Sequence, residues 1–471
     1  MGRGSRPSHS RLALSSIRQL FYWYSIGFYV RGIPRRPKEN RADPPKQMNL
    51  VRFTTVTVAV ALLAFVLLST SALAEPKTNL LSQWADGSDA AAIAKLGDMF
   101  KAAGGQWEAT SIAGHTANTI AKLRADVVAG NPPPAVQLKG PEIAEWNATG
   151  MTLSLDDIAK AEDWDKTVAP ELLPVMKPKG SWVAVPMNIH RINWMWCSKK
   201  ALDKAGITTP PATWAEFDAD AEKLKAAGII PVAHGSADWT DATTFEIVVY
   251  GMDMDLFKKA FVEGNTDAMR SDGMVKAFEQ FRKVITNDTD PGISGRAWDA
   301  AANMMLTGKA AFFFMGDWSI GTFNAAGFKP NVDYIGASAP EDNGKPGFIL
   351  NSDSVVFFKQ KDPDYLAGSK LLAQLIMSKD FQVIFNKAKG SIPARLDVDL
   401  TGFNPFQVKC QQDLQAAIKA GTLVRSFAHN MTILQKYRGA AMEVITEFVN
   451  TPNLSASDAA KRLADAVEAQ Q

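Results

Sequence analysis

The sequence predicts an α/β fold in which mostly parallel sheets are flanked by helices. Strand-like runs alternate with amphipathic helical runs of ordinary length, a pattern typical of βαβ units. The alternation occurs in "NLLSQW" with "AAAIAKLGDMFKAAGG", in "GSWVAVPMNIHRINWMWCSKKALDKAGI", and in "GFILNSDSVVFFKQ" with "DYLAGSKLLAQLIMSKDFQVIFNKAKG". No fixed-period repeat or long linker divides the chain, so we expect domains joined by several chain crossings.

Residues 48–74 have the pattern of an export signal. Arg52 precedes an apolar stretch at about 56–68, and Ala72-Leu73-Ala74 supplies a small-residue cleavage motif. The stretch is shorter than the roughly 20 residues that span a bilayer. We therefore predict a signal peptide cut after Ala74 and a periplasmic location, with an uncleaved anchor as the alternative. Residues 1–47 lack sustained apolar periodicity, and we interpret them as an unstructured or misannotated extension before a true start at Met48.

The charge balance changes when residues 1–74 are removed. The whole chain carries 51 lysines and arginines against 49 aspartates and glutamates, whereas residues 75–471 carry 40 against 47. This mildly acidic balance argues against a nucleic-acid partner. Two cysteines, Cys197 and Cys410, are too few for a disulfide scaffold, and their pairing stays open.

Motifs for catalysis and metal binding are missing from the sequence. It contains no G-x-S-x-G, H-E-x-x-H, Walker or G-x-G-x-x-G pattern, and its histidines lack metal-ligand spacing. Paired carboxylates could still meet in the fold. The sequence favours a non-catalytic binding protein without a cofactor or a metal.

Ligands of open α/β sheets bind in loops beyond the carboxyl ends of strands. Polar and aromatic residues that follow strand-like runs are therefore candidate ligand contacts. They are Trp84, Asp89, Lys139, His190, Trp239, Asp317, Trp318, Asn351, Asp353, Lys389 and His429.

Several stretches together resemble the extracellular solute-binding proteins of carbohydrate-uptake ABC transporters. These are "LRADVVAGNPPPAVQLKGPEIAEW", "GSWVAVPMNIHRINWMWCSKKALDKAGI" before "PATWAEF", "LTGKAAFFFMGDW" and "KGSIPAR". The resemblance covers residues 75–471 and is greatest to periplasmic glucose- and mannose-binding members. One departure is Gln83-Trp84, where those relatives often have two adjacent tryptophans.

The resemblance implies a two-lobed periplasmic-binding-protein fold with a multi-strand hinge and the ligand in the interlobe cleft. The implied lobes are residues 75–172 with 343–395, and residues 173–342 with 396–471. The implied function is to bind a monosaccharide, glucose or mannose, and to deliver it as a monomer to inner-membrane ABC permease subunits. The alternatives are a secreted carbohydrate-active enzyme, and the same fold binding a disaccharide or a polyol.

The candidate residues suit the faces and rim of a sugar ring. Trp84, Trp239 and Trp318 could stack on an apolar C–H face, although core packing is the common role of tryptophan. Asn351 and Asp353 would share one face if their strand continues through both. The remaining expectations are that Lys139 and Lys389 donate to hydroxyls, Asp89 binds ligand or caps a helix, Asp317 lies in the site, His429 contributes from the second lobe, and His190 ties hinge strands.

Overall fold

The computed structural model describes residues 74–85, 87–112 and 115–471. The predicted extension 1–47 and the predicted signal peptide lie outside these residues, apart from Ala74. The strands in the described part are β1 (Lys77–Ser82), β2 (Gln106–Ser111), β3 (Ala135–Leu138), β4 (Ala184–Pro186), β5 (His190–Arg191), β6 (Trp194–Ser198), β7 (Ile230–Val232), β8 (Ala310–Phe314), β9 (Tyr334–Ser338), β10 (Phe348–Asn351), β11 (Ser354–Phe357) and β12 (Leu423–Arg425).

The helices occupy most of the remaining described chain. They are α1 (Gly87–Ala102), α2 (His115–Val128), α3 (Pro141–Ala148), α4 (Asp156–Ala161), α5 (Trp164–Thr167), α6 (Leu173–Met176), α7 (Lys199–Ala205), α8 (Trp214–Ala226), α9 (Asp238–Met252), α10 (Met254–Phe257), α11 (Thr266–Met269), α12 (Asp272–Arg282), α13 (Trp298–Leu306), α14 (Ser319–Ala325), α15 (Pro363–Met377), α16 (Lys379–Lys389), α17 (Pro405–Ala420), α18 (Gln435–Asn450) and α19 (Ala456–Glu468). A 3₁₀ turn (Pro178–Gly180) and two π-helical turns (Lys258–Val262 and Lys283–Asn287) complete the set. None of the helices in the described residues is long and apolar enough to cross a membrane.

The strands form three sheets within the described residues. The first sheet has the order β2-β1-β3-β11-β4, the second β7-β8-β6-β9, and a small third sheet β12-β10-β5. In the first sheet β11 is antiparallel to both neighbours, so the other four strands share one direction. In the second sheet β6 is the reversed strand in the same way. The predicted mostly parallel sheets are therefore confirmed, each with one reversed strand.

Helix α1 shows how the pattern of the sequence produces this layering. Ile93, Leu96 and Phe100 are buried and recur at three- and four-residue spacing, so they form one apolar face of the helix. Leu80 and Leu81 of β1 are also buried, as expected for a strand covered on both sides. The carboxyl end of β1 thereby lies beside the first turn of α1.

Two connections join the first sheet to the small sheet. Residues 187–189 link β4 to β5, and residues 352–353 link β10 to β11. The two connections are hydrogen-bonded to each other, because the Asp353 amide donates to Asn188 Oδ1 at 2.8 Å and the Met187 amide donates to the Asp353 carbonyl at 2.8 Å. This arrangement fits the predicted multi-strand hinge. The lobe boundaries remain a proposal. Because β4 pairs with β11 in the first sheet, the structure favours a passage of the chain from the first lobe to the second after Pro186 instead of after Leu172.

The same connection corrects one expectation from the sequence. Asn351 is the last residue of β10 and Asp353 precedes β11, so the two residues do not belong to one continuous strand. The break arises because the Ser352 hydroxyl and the Asp353 amide both donate to Asn188 while the chain passes from one sheet to another.

Both cysteines are buried free thiols. Cys197 lies in β6 and Cys410 in α17. Burial raises the pKa of each thiol, which keeps both in the neutral form.

Candidate binding site

A cavity of about 310 Å³ lies between the ends of the first and second sheets. One wall comes from elements around the first sheet: Gln83, Trp84, Ala85, Asp89, Thr116, Lys139 and Lys389. The opposite wall consists of Trp239, Trp298, Trp318, Ala428, His429 and Arg438, and the floor consists of His190, Asn351 and Asp353.

The structure brings nearly all of the predicted contact residues together. The residues proposed from the sequence that line the cavity are Trp84, Asp89, Lys139, Trp239, Trp318, Asn351, Asp353, Lys389 and His429. Asp317 lies behind the wall, where its carboxylate bonds to His190. His190 lines the cavity and also lies in hinge-proximal strand β5, as expected for a residue that ties hinge strands.

Two predicted residues reach the cavity from different elements than expected. Trp239 lies in the first turn of α9, and Lys389 is the last residue of α16, which ends at Gly390 with a φ of 88°. Both residues were expected in loops beyond strand ends. The Lys389 side chain is 5% exposed, so it does not extend from solvent to the rim of the cavity.

Asp353 is the central carboxylate of the floor. Its Oδ1 lies 2.6 Å from Lys139 Nζ, and its Oδ2 accepts from Asn188 Nδ2 at 2.8 Å and lies 3.2 Å from His190 Nε2. Burial alone would raise the pKa of Asp353, but the charges of Lys139 and His190 outweigh it and hold the pKa well below its usual range. Asp353 is therefore an ionised acceptor at neutral pH.

Lys389, Asp89 and Trp84 form a cluster on the first wall. Lys389 Nζ forms a short ion pair with Asp89, and it lies 5.0 Å from the centre of the Trp84 ring. The Trp84 ring also stacks on Phe385, at 5.9 Å with an interplanar angle of 23°. Asp89 lies in the first turn of α1 and lines the cavity, with its carboxylate on Lys389. The Trp84 ring and the Asp89 carboxylate are thus both held at the cavity.

The second wall is aromatic. The Trp239 ring centre lies 6.4 Å from Trp298 and 6.2 Å from Trp318, and Trp318 lies 5.1 Å from His429. These tilted and edge-on contacts hold the rings in fixed orientations. Aromatic side chains therefore line this side of the cavity.

Two buried acceptors of the cavity lack a partner. Among the described residues, Asn351 Oδ1 and His429 Nε2 have no hydrogen bond. Burial lowers the pKa of His429 well below its usual value, so the ring is neutral. When Glu246 is ionised, Ser426 donates its only hydroxyl proton to it, so the Ser426 oxygen accepts from His429 Nδ1–H at 3.0 Å. His429 Nε2 is then an acceptor that faces the cavity.

Besides Ala85 and Ala428, four lining residues with polar or aromatic side chains were missed by the sequence analysis: Gln83, Thr116, Trp298 and Arg438. Thr116 donates to Gln83 Oε1 at 2.6 Å, and Arg438 Nε donates to the Ala428 carbonyl at 2.9 Å. Burial lowers the pKa of Arg438 to about 10, which still leaves it charged at neutral pH. Thr116, Trp298 and Arg438 lie on helices, so a search of strand ends could not find them. Only Gln83 gave a signal, through its place beside Trp84.

The two walls touch beside the cavity. Gly140 follows β3 with a φ of 49°, and a Cβ at this position would collide with the Asn430 carbonyl and lie 2.7 Å from Met431 Cα. Next to it, the Glu142 carboxylate accepts from the Gln435 amide at the start of α18 at 2.7 Å. This contact closes one side of the cavity.

Two groups of α/β elements are joined by crossing strands and enclose a polar cavity with aromatic walls. This arrangement defines a solute-binding protein. The chain belongs to the bacterial extracellular solute-binding protein family, whose model matches residues 82–368. The family makes it a non-enzymatic binding protein, as predicted.

Similar proteins agree with this assignment. A probable sugar-binding periplasmic protein of Brucella suis is 39% identical over 414 residues, covering 88% of this chain and 97% of the relative. A chitin oligosaccharide binding protein has a TM-score of 0.73 at 18% identity, covering 83% of this chain and 98% of that one. The bacterial solute receptor AcbH, described with an exclusive preference for β-D-galactopyranose, has a TM-score of 0.69 at 18% identity, covering 84% and 99%. These likenesses confirm the predicted two-lobed fold.

Proposed function

We propose that this protein is the periplasmic sugar-binding component of an ABC uptake transporter. It binds one monosaccharide, glucose or mannose, and delivers it to the inner-membrane permease. The observation that carries the proposal is the pair of buried acceptors, Asn351 Oδ1 and His429 Nε2, without a partner among the described residues. Buried polar atoms are normally hydrogen-bonded, so a ligand rich in hydroxyl donors is their natural partner.

The charges around the cavity favour a neutral ligand. Lys139 pairs with Asp353, Lys389 with Asp89, and His190 with both Asp317 and Asp353. The Arg438 guanidinium donates to the Ala428 carbonyl. Three of these cations are paired with carboxylates and Arg438 already donates to a carbonyl, which favours a neutral ligand over a carboxylate or a phosphate.

The volume and walls of the cavity favour a single sugar ring. About 310 Å³ is at the low end of the roughly 300–1,000 Å³ typical of ligand pockets. A pyranose has apolar C–H faces for the aromatic wall and a rim of hydroxyls for the floor. Among the similar structures, one protein is named for chitin oligosaccharides and another for galactopyranose, so relatives at this distance do not define the number of rings.

The name of the Brucella relative supports a periplasmic location. We infer that residues 48–74 are the signal peptide and that cleavage follows Ala74. Sequencing of the exported protein should then begin at Glu75. We also infer a monomer, and sedimentation with and without sugar should give one chain in both cases.

Calorimetric titration tests the proposed function. The protein purified from the periplasm is titrated with D-glucose, D-mannose, maltose and sorbitol, and each sugar is then recovered and checked for chemical change. We expect one site that binds glucose or mannose and leaves it unchanged. Preference for maltose or sorbitol would overturn the monosaccharide assignment, and turnover would overturn the binding role.

A matched pair of variants links the binding to the cavity. Asn351→Leu removes the unpartnered acceptor with little change in volume and should weaken binding by about threefold to tenfold, because a neutral hydrogen bond contributes about 0.5–1.5 kcal/mol. Asn450→Leu makes the same change at an exposed position of α18 and should bind like the wild type.

A further inference from the structure

The His190 side chain lies between two carboxylates. Its Nδ1 forms a short contact with Asp317 Oδ1, and its Nε2 lies 3.2 Å from Asp353 Oδ2. Both His190 and Asp317 are essentially unexposed. Asp317 follows β8 of the second sheet, whereas Asp353 lies on the connection between the small sheet and the first sheet. One imidazole thus joins the second sheet to the hinge.

The carboxylate of Asp317 is itself fixed. Its Oδ2 accepts from the Arg191 amide at 3.0 Å and lies 3.6 Å from Cys410 Sγ. With both oxygens occupied, Asp317 is anchored toward the backbone of β5 and away from the cavity. Its influence on a bound solute must therefore act through His190.

Asn188 gives His190 Nε2 two possible hydrogen-bonding states. When Nε2 carries a proton, His190 and Asn188 Nδ2 both donate to Asp353 Oδ2. When Nε2 is unprotonated, it can accept from Asn188 Nδ2, which lies 3.1 Å away. In both states Nδ1–H donates to Asp317. The floor of the cavity can thus change by one charge without a change of rotamer.

The groups around His190 favour the charged state. Asp317 and Asp353 contact the ring, while Lys139 is held on the other oxygen of Asp353 and neutral His429 lies on the opposite wall. Trp318 meets the ring edge-on at 5.4 Å and carries no charge. Burial alone would lower the pKa of His190, but the two aspartates outweigh it and raise the pKa above its usual value.

We propose that Asp317 is a positioning residue of the binding site, which holds the His190 ring so that its Nε2–H fixes the Asp353 carboxylate toward the solute. The proposal rests on the proposed function, since Asp353 is the group that would accept a sugar hydroxyl. Asp353 Oδ2 is then occupied by Asn188 and His190, and Oδ1 keeps one lone pair beside Lys139 for the solute.

The protonation of His190 can be measured without any sugar. Histidine side chains of the ¹⁵N-labelled full chain are followed by NMR between pH 6 and 9, with His190→Gln used to assign the signal. We expect both ring nitrogens of His190 to be protonated at pH 7.5 in the wild type. In Asp317→Asn the ring should lose a proton at a pH at least one unit lower. A neutral His190 at pH 7.5 in the wild type would overturn the proposal.

Asp413→Asn is the matched control. The Asp413 carboxylate does not line the cavity and pairs at 2.5 Å with Arg191, which is next to His190 in the sequence. The titration of His190 should be unchanged in that variant. If the pH at which His190 loses its proton falls equally in both variants, the cause is a general loss of charge at the hinge. That result would overturn a specific role for Asp317.

Binding of D-glucose supplies the second readout. Compared with the wild type at the same pH, Asp317→Asn should bind within about threefold at pH 6 and about tenfold more weakly at pH 8. A weakening that is equal at both pH values would indicate a merely structural role and would overturn the proposal. If the wild type binds no glucose, the proposed specificity fails while the NMR result still decides the role of Asp317.

Discussion

The Lys139 ammonium and the Asp353 carboxylate form a buried ion pair, with 2.6 Å between Nζ and Oδ1 and side chains only 7% and 3% exposed. The pair joins the end of β3 to the connection between β10 and β11. Removal of one partner from a buried ion pair leaves the other charge uncompensated, which is more costly than the loss of an exposed pair.

Asp353→Ala should therefore affect both stability and binding. We expect the free energy of unfolding to fall by about 3–5 kcal/mol in urea titrations, because Lys139 remains buried and charged. Sugar affinity should fall by about one to two orders of magnitude, as expected for the loss of a hydrogen bond to a charged group. Unchanged affinity in the folded fraction would remove Asp353 from the site.

Two further variants separate these effects. The double variant Lys139→Met/Asp353→Leu should recover part of the lost stability and none of the affinity, since no charge is left unpaired. Lys389→Met should weaken binding less than Asp353→Ala does, because the partner that it leaves, Asp89, is 34% exposed and can be hydrated.

Trp84 should matter for affinity more than for folding. Its ring stacks on Phe385 and lies under the Lys389 ammonium, at the first wall of the cavity. Trp84→Ala should reduce affinity at least roughly tenfold, since it removes stacking of about 0.5–1.5 kcal/mol together with apolar contact. Calorimetry and urea unfolding together measure the two quantities.

Trp164→Ala is the control for Trp84→Ala, because Trp164 is fully buried against Trp182 and does not line the cavity. It should lower the stability by about 3–5 kcal/mol and leave the affinity of the folded fraction unchanged. If Trp84→Ala behaves in the same way as this control, Trp84 is a core residue.

Gly140→Ala should weaken sugar binding without altering any residue that lines the cavity. The new Cβ would push the Asn430 carbonyl away and separate the two walls where they touch. Gly150→Ala is the matched control, because Gly150 also has a positive φ, 75°, but has nothing within 4 Å of an added Cβ. Both variants carry backbone strain. Only Gly140→Ala also displaces the Asn430 carbonyl, so only this variant should lose affinity in calorimetric titration. Equal affinities would show that this contact does not support closure.

The buried carboxyl of Glu246 predicts a pH dependence of stability. Burial raises the pKa of Glu246 to about 7, against hydrogen bonds from Ser426, Phe427 and Ala428. At this carboxyl the folded state then binds more protons than the unfolded state between about pH 4.5 and 7. The free energy of unfolding should fall as the pH rises through this range, by roughly 2–3 kcal/mol for this group.

Glu246→Gln should reduce that slope, measured by urea unfolding at pH 5 and pH 7.5. Part of the slope should remain, because burial also raises the pKa of Glu142 and of Glu341 to about 7. Glu443→Gln, at an exposed position of α18, should leave the slope unchanged. A wild-type stability that rises between pH 5 and 7 would contradict the account of these carboxyls.

Residues at strand ends were predictable because the position of a strand end follows from the local pattern. Trp84 follows β1 and Lys139 follows β3, and both line the cavity as expected. Asp317 also follows a strand, yet its carboxylate points at His190, because position along a chain does not give the direction of a side chain. Arg438 was missed since it lies inside a helix.

The break between β10 and β11 could not be predicted from the local sequence. The stretch "GFILNSDSVVFF" has a continuous apolar character apart from its central polar residues. The break depends on hydrogen bonds between Asp353 and Asn188, which are 165 residues apart. Contacts over such a distance follow from the packing of whole sheets and not from the periodicity of one segment.

The most direct test of the central claim is a crystal structure with the sugar that binds tightest in the titrations. The account predicts one sugar ring between Trp84 and the Trp239–Trp318 wall. Its hydroxyl oxygens should lie within about 2.7–3.2 Å of Asn351 Oδ1, His429 Nε2 and Asp353 Oδ1. A sugar bound elsewhere, or one in this cavity that leaves Asn351 Oδ1 and His429 Nε2 without a partner, would contradict it.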